Sequence, residues 1–280
     1  NLAWSKSNED PVRNISLNDV RQLASGNLVV IGTCELPGGN KRMFFAEFTI
    51  TGNLQWAKTL DYPGYSGMGI SPTFTNGIGF VGQDDSTIVF GRLNYSGGLV
   101  WLKKTRLMES GFVAGMVKSD DDWWYIAYSG MDSLRHVGML VRVKPDGSFD
   151  WSDRFGGQAA NMDFIFHDLE EINIRPEITG IYSQNQSAYQ LFKVRINVLG
   201  SVESFQSFSI PSANIDTTAR SALTPWTETI AFSPSNTSTD IYAFKTMHDV
   251  YPDTAIIWRK KFTTNSPQGL SSIERTFDGG

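Results

Sequence analysis

Residues 48–56 read Phe48-Thr49-Ile50-Thr51-Gly52-Asn53-Leu54-Gln55-Trp56: an apolar residue, three variable residues, a glycine, and a tryptophan four places further on. An alternating strand ends at Phe48, glycine supplies the positive φ that a tight turn demands, and a second alternating strand delivers Trp56 inward. The same order recurs as Leu93, Gly97, Trp101, as Val143, Gly147, Trp151, and as Ile196, Gly200, Phe205. The last copy is one residue longer, and Phe205 is read there as the stand-in for tryptophan. With Trp4 and Trp258 added, the anchors are spaced by 52, 45 and 50 residues and then by 107, which is two repeats across Phe205. A fixed period of this length marks a repeat architecture.

Working outward from the anchors, each unit supplies further short strands. Val20 to Leu23 turns at Ser25-Gly26-Asn27 into Leu28 to Gly32, and Arg42 to Ile50 follows; Ile70 to Phe74, Ile78 to Val81 and Thr87 to Leu93 repeat the order, as do Val113 to Val117, Trp123 to Tyr128 and Val137 to Val143. Four antiparallel strands in about 40–50 residues is the content of a propeller blade. No interval shows a sustained 3.6-residue apolar period, and Phe164 to Ile172, the nearest to helical, reads as a strand-turn. The expected fold is therefore all-β, a β-propeller of five complete blades over 10–60, 66–106, 111–156, 162–210 and 215–263, with parts of a sixth from 1–8 and 270–280. One domain spans 1–280, read as a slice of a longer chain. Lys6, Lys58, Lys103 and Lys260 follow four of the tryptophans by two residues, which puts each Lys stem on the face of its indole.

The segments "FTITGNLQWAKTL", "RLNYSGGLVWLKKT", "RVKPDGSFDWSDRFGG" and "RTFDGG" resemble the propeller repeats of secreted and surface proteins of bacteria, archaea and some protists. A more distant resemblance is to the blade repeats of quinoprotein dehydrogenases, through "TGNLQW"; the other blades depart from that docking motif. The first resemblance implies a surface location and a blade, not an activity.

Composition narrows the partners. The net charge of −5 and the absence of any Lys/Arg run longer than two residues exclude a phosphate-backbone footprint, so no nucleic acid is expected. The longest apolar runs, such as Leu28 to Gly32, fall far short of the ~20 residues a spanning helix needs. Cys34 is the only cysteine, which rules out an intrachain disulfide and a thiolate zinc site.

The candidate site residues follow from residue type. His136, His167 and His248 lie in separate blades without metal-ligand spacing. Asp120, Asp121 and Asp122 are the candidate oxygen ligands for Ca²⁺, otherwise turn formers, and no other cofactor is expected. Asp168, Glu170 and Glu171 are the best carboxylate cluster for general acid/base work, but Glu170 and Glu171 are adjacent on a strand and point to opposite faces, which argues against a carboxylate pair for glycoside hydrolysis. Trp123, Trp124 and Trp226 are the candidate ligand-stacking aromatics. Without a catalytic constellation, the expected function is a noncatalytic extracellular or cell-surface module for adhesion or assembly, with protein partners, neighbouring subunits or surface glycans. The alternative is a glycan-binding lectin using those tryptophans; a quinone-dependent dehydrogenase or a glycosidase ranks below both.

Overall fold

The computed structural model describes residues 14–84, 87–106, 110–119, 121–157, 160–172, 175–184, 188–208, 218–223, 227–233, 240–247 and 256–263. Among them there is no helix; twenty strands form five four-stranded antiparallel sheets, each a meander in chain order, the blades of a five-bladed β-propeller. Sheet I holds Asn14–Gln22 (β1), Leu28–Glu35 (β2), Lys41–Phe48 (β3) and Leu54–Thr59 (β4). Sheet II holds Ser66–Pro72 (β5), Ile78–Gln83 (β6), Ile88–Leu93 (β7) and Leu99–Thr105 (β8). Sheet III is built from Gly111–Lys118 (β9), Trp124–Asp132 (β10), Arg135–Val143 (β11) and Phe149–Gly156 (β12). Sheet IV comprises Met162–Ile172 (β13), Arg175–Gln184 (β14), Gln190–Ile196 (β15) and Val202–Phe208 (β16); sheet V comprises Thr218–Leu223 (β17), Thr227–Ser233 (β18), Asp240–Met247 (β19) and Ile256–Thr263 (β20). The segments 1–8 and 270–280, read as parts of a sixth blade, lie outside the described residues.

The chain forms two compact units, Asn1–Ile126 with Arg142–Asp150, and Ala127–Val141 with Trp151–Gly280. In the first unit β1 lies beside β5 and β5 beside β9; in the second β13 lies beside β17. Between sheets I and II, Val29, Ile31, Met43 and Phe45 meet Ile70, Ile78, Phe80 and Val89 in a buried core, with Phe45 edge-on to Phe80 at 5.0 Å. Burying such side chains stabilises by roughly 1.5–3 kcal/mol each, which is what stacks one sheet on the next.

Polar side chains then fix the offset between sheets. β1, β5 and β13 each carry a bulge, between Leu17 and Asp19, Gly67 and Gly69, and Phe166 and Asp168. A bulge adds a residue and turns its side chain out of the ladder. In the first unit Asn18 Nδ2 donates to Gly67 O at 2.6 Å and Asp19 accepts from Ile70 N at 3.0 Å. In the second unit the bulge residue His167 accepts at Nδ1 from Ala219 N at 3.1 Å. Burial pushes the Asp19 carboxyl up from its ordinary value, against the opposing pull of Arg21 and of two backbone N–H groups. The bulge also makes β13 one continuous kinked strand where a strand-turn was expected.

The repeated tryptophans sit on the fourth strands and reach the hairpin turn of the following sheet. A Cβ on Gly97 would lie 2.9 Å from the Trp56 ring, one on Gly147 2.9 Å from the Trp101 ring, and one on Gly200 3.3 Å from the Trp151 ring. Trp101 Nε1 donates to Pro145 O at 2.8 Å and Trp151 Nε1 to Val198 O at 3.0 Å. Trp56 instead donates to Glu47 Oε2 of its own sheet at 2.6 Å. Each turn glycine therefore has two constraints, a positive φ and an indole against its α-carbon. The lysines two places on complete the contact: Lys58 Nζ reaches Ser96 O at 3.0 Å, and Lys103 Nζ lies 6.0 Å from the Trp101 ring centre. Trp4 lies outside the described residues, and Trp258 is described only through its backbone, which pairs with Lys245.

Phe205 corrects the repeat. Trp56 pairs with Glu47 and Trp101 with Arg92, each just after the bulged residue of the fourth strand; in sheet IV the residue so placed is Ser204, paired with Arg195. No residue is inserted. Phe205 stands one place beyond, and one step along a strand reverses the face. Its ring stacks on Phe192 of its own sheet at 5.9 Å and meets Phe164 edge-on. It is an exposed aromatic packed on the rings of its own sheet, and not a substitute for the tryptophan.

Gly147→Ala is expected to cost about 1–3 kcal/mol, from a left-handed backbone and a methyl driven into an indole. Trp101→Ala should cost about 3–5 kcal/mol. In the double variant the methyl has no ring to meet, so urea denaturation should show a loss smaller than the sum. Strict additivity would refute the seating of the indole on the turn.

Candidate functional site: a polar cleft on sheet I

Most charged and amide side chains in the described sheets are spent on holding the fold. Among the sequence candidates, Asp121, Asp122 and Trp124 are engaged in this way. Asp122 occupies the left-handed position of its turn, φ 59°, where Gly26 stands in sheet I. Its carboxylate accepts from Phe74 N at 3.0 Å, from Thr75 N at 2.8 Å and from the Thr75 hydroxyl, clamping the corresponding turn of sheet II. Asp121 pairs with Arg142, which also bonds Asp150 at 3.0 Å. Asp120 lies outside the described residues. Among the described residues no group of three or more His, Cys, Asp or Glu is placed to hold a metal ion.

Trp124 is fully buried and donates from Nε1 to Ser71 O at 3.0 Å, which leaves no ring face for a ligand. Trp123 is half-buried under the Arg142 guanidinium, 4.4 Å from its ring centre, and Lys144 at 5.3 Å. Trp226 and His248 lie outside the described residues. His136 is half-buried; burial lowers its imidazole below the ordinary value, and the Asp163 charge opposes this. Asp163 itself is committed to Arg135 at 3.0 Å and to His136 N at 2.8 Å.

A different set of residues is left idle. One face of sheet I opens as a cleft of about 330 Å³ lined by Asn14, Ser16, Asn18, Thr33, Glu35, Lys41, Ser66 and Met68. The ladder explains the gathering. Asn14 opposes Glu35 and Glu35 opposes Lys41, so the three form one row across β1, β2 and β3; Ser16, Thr33 and Met43 form the next row down. Directly opposed residues share a face with Cβ atoms about 4.5–5.5 Å apart. Ser66 and Met68 of β5 form the facing wall.

Beside these lining residues three backbones approach closely. A Cβ on Gly32 would lie 1.9 Å from Ser16 O, and one on Gly67 2.5 Å from Gly32 O. Only glycine permits that distance. Asn18 uses its amide N–H on Gly67 O, while Asn14, Ser16, Thr33, Glu35, Lys41 and Ser66 make no side-chain hydrogen bond or ion pair to any described residue. Glu35 and Lys41, without a side-chain partner among the described residues, beside four amide or hydroxyl groups in the same state, make this face the candidate recognition surface. The signal in the sequence was the alternation Asn14, Ser16, Asn18 on a strand whose other residues include Ile15 and Leu17; the strand-to-strand register that joins it to Glu35 and Lys41 was not readable there.

The sequence matches no protein-family model and no curated protein. Solved structures do share the fold. A mutant of the Synechocystis apocarotenoid oxygenase superposes with a TM-score of 0.54 at 11% identity, over 91% of this chain and 64% of that one. A chimera of that oxygenase with RPE65 gives 0.54 at 10% identity, over 94% and 64%. Prolyl oligopeptidase B from Galerina marginata gives 0.46 at 10%, over 90% and 43%. This chain thus spans 64% of the length of the oxygenase. At such identity the likeness carries the fold and not the substrate. It does correct the expected class: the propellers this chain is similar to are enzymes, against the expectation of a noncatalytic adhesion or assembly module with a lectin as its alternative. Among the described residues no helix is long and apolar enough to cross a membrane.

The clamp at Asp122 has a measurable consequence. Burial tends to raise its carboxyl, but the Thr75 hydroxyl and the N–H groups of Phe74 and Thr75 outweigh that and hold it below the ordinary 3.8. A depressed carboxylate adds stability that is complete above its unfolded value and disappears as pH falls through the folded one. Asp122→Asn, which tolerates the left-handed turn, should lose about 1–2 kcal/mol at pH 7. Melting curves of variant and wild type should converge below about pH 3.

Proposed function

We propose that this chain is the propeller of an enzyme acting on a small polar substrate, and that the cleft of Asn14, Ser16, Thr33, Glu35, Lys41 and Ser66 is where the substrate is held. The observation that carries this reading is the set of unpaired polar groups gathered on one face of a rigid sheet. The enzymes built on the same fold support the catalytic class. The lining separates this chain from an apocarotenoid enzyme, because an apolar polyene would leave these amides, hydroxyls and charges desolvated without partners. Glu35 is the one carboxylate of the lining and Lys41 the one amine. Glu35 serves as the proton acceptor and Lys41 holds a negative group of the substrate.

The test is turnover of a pooled set of polar metabolites, followed by mass spectrometry, with wild type and Glu35→Gln in parallel. Loss of the general base should slow consumption by about 10²–10⁴-fold. The melting temperature should stay nearly unchanged, because the carboxylate has no partner to lose. Equal turnover by the two proteins, or no consumption of any compound, would overturn the proposal.

A further inference from the structure

Glu35 and Lys41 oppose each other directly in the ladder, yet no ion pair joins them. Opposite charges held on neighbouring positions and not spent on each other are arranged for a ligand that carries both charges a short distance apart. Asn14, in the same row, adds an amide beside Glu35. Ser16 and Thr33 lie one row deeper, and Ser66 is on the facing wall with Met68 as its apolar part.

We propose that the cleft binds a free α-amino acid with a small polar side chain. The inference rests on the reading of the cleft as the substrate site. The ammonium of the ligand pairs with Glu35 and the Asn14 carbonyl oxygen, and its carboxylate pairs with Lys41. The ligand's side chain points down to the hydroxyls of Ser16, Thr33 and Ser66. A cavity of about 330 Å³ holds such a molecule with room for ordered water. A neutral polyol would satisfy the hydroxyl row but leave both charges unmatched, and a dianion would meet Glu35 with the wrong sign.

The experiment is ligand-observed NMR and calorimetric titration of the intact chain with L-serine, serine amide, N-acetyl-L-serine and glycerol. L-serine should bind, and blocking either charged end should weaken binding by about tenfold or more. Glu35→Gln should abolish the discrimination against N-acetyl-L-serine, and Lys41→Met the discrimination against serine amide. Glycerol binding as tightly as L-serine, or a discrimination that both variants leave intact, overturns the amino-acid assignment. Binding of glycerol alone, lost in Ser16→Ala with Thr33→Val, sinks the assignment and leaves the cleft as a site. Failure of all four probes together with a negative turnover screen removes both the assignment and the site.

Discussion

The structure depends on what an indole needs from the sheet beside it. A tryptophan on the outer strand of one blade has a broad apolar face that water solvates poorly, and an N–H that must be satisfied. The next blade offers a glycine with no Cβ to obstruct the ring and, at two of the three described contacts, a backbone carbonyl to accept the N–H. Both features belong to the same hairpin turn, so the turn that reverses each blade is also the surface on which its predecessor rests. The repeat can be copied along the chain because the donor and acceptor of the contact are encoded in the same nine residues.

At the first strands the requirement is met with polar groups. Asn18, Asp19 and His167 reach from bulged strands to the backbone of a neighbour, where a regular ladder would have pointed them elsewhere. The fold is thus gripped at its outer strands by aromatic seats and at its first strands by amide and carboxylate bonds. Asp122 adds a third grip, between turns.

The blade pattern was legible because its determinants are local: a glycine at a left-handed position and a ring four residues on. Phe205 shows where local reading fails. Its neighbourhood resembled a repeat with one insertion, but the ladder has none there, and the aromatic faces the opposite way because strand parity outranks resemblance. The cleft was illegible for a related reason. Asn14, Glu35 and Lys41 are 21 and then 6 positions apart in sequence, and only the register of three strands places them side by side. Trp124 was conspicuous as a large ring and proved to be core, whereas Ser16 and Thr33 were inconspicuous and line an open face.

The glycine contacts beside the cleft limit how its walls can move. At Gly32 and Gly67 the added carbon of any other residue would overlap backbone oxygen, so the spacing of β1, β2 and β5 cannot be reset one substitution at a time. The mouth is free: the side chains of Asn14 and Lys41 are exposed and make no hydrogen bond or ion pair to a described residue. A lineage carrying this blade would therefore diversify its ligands at the mouth, exchanging charge and hydrogen-bonding character there while the spacing of the strands stays fixed.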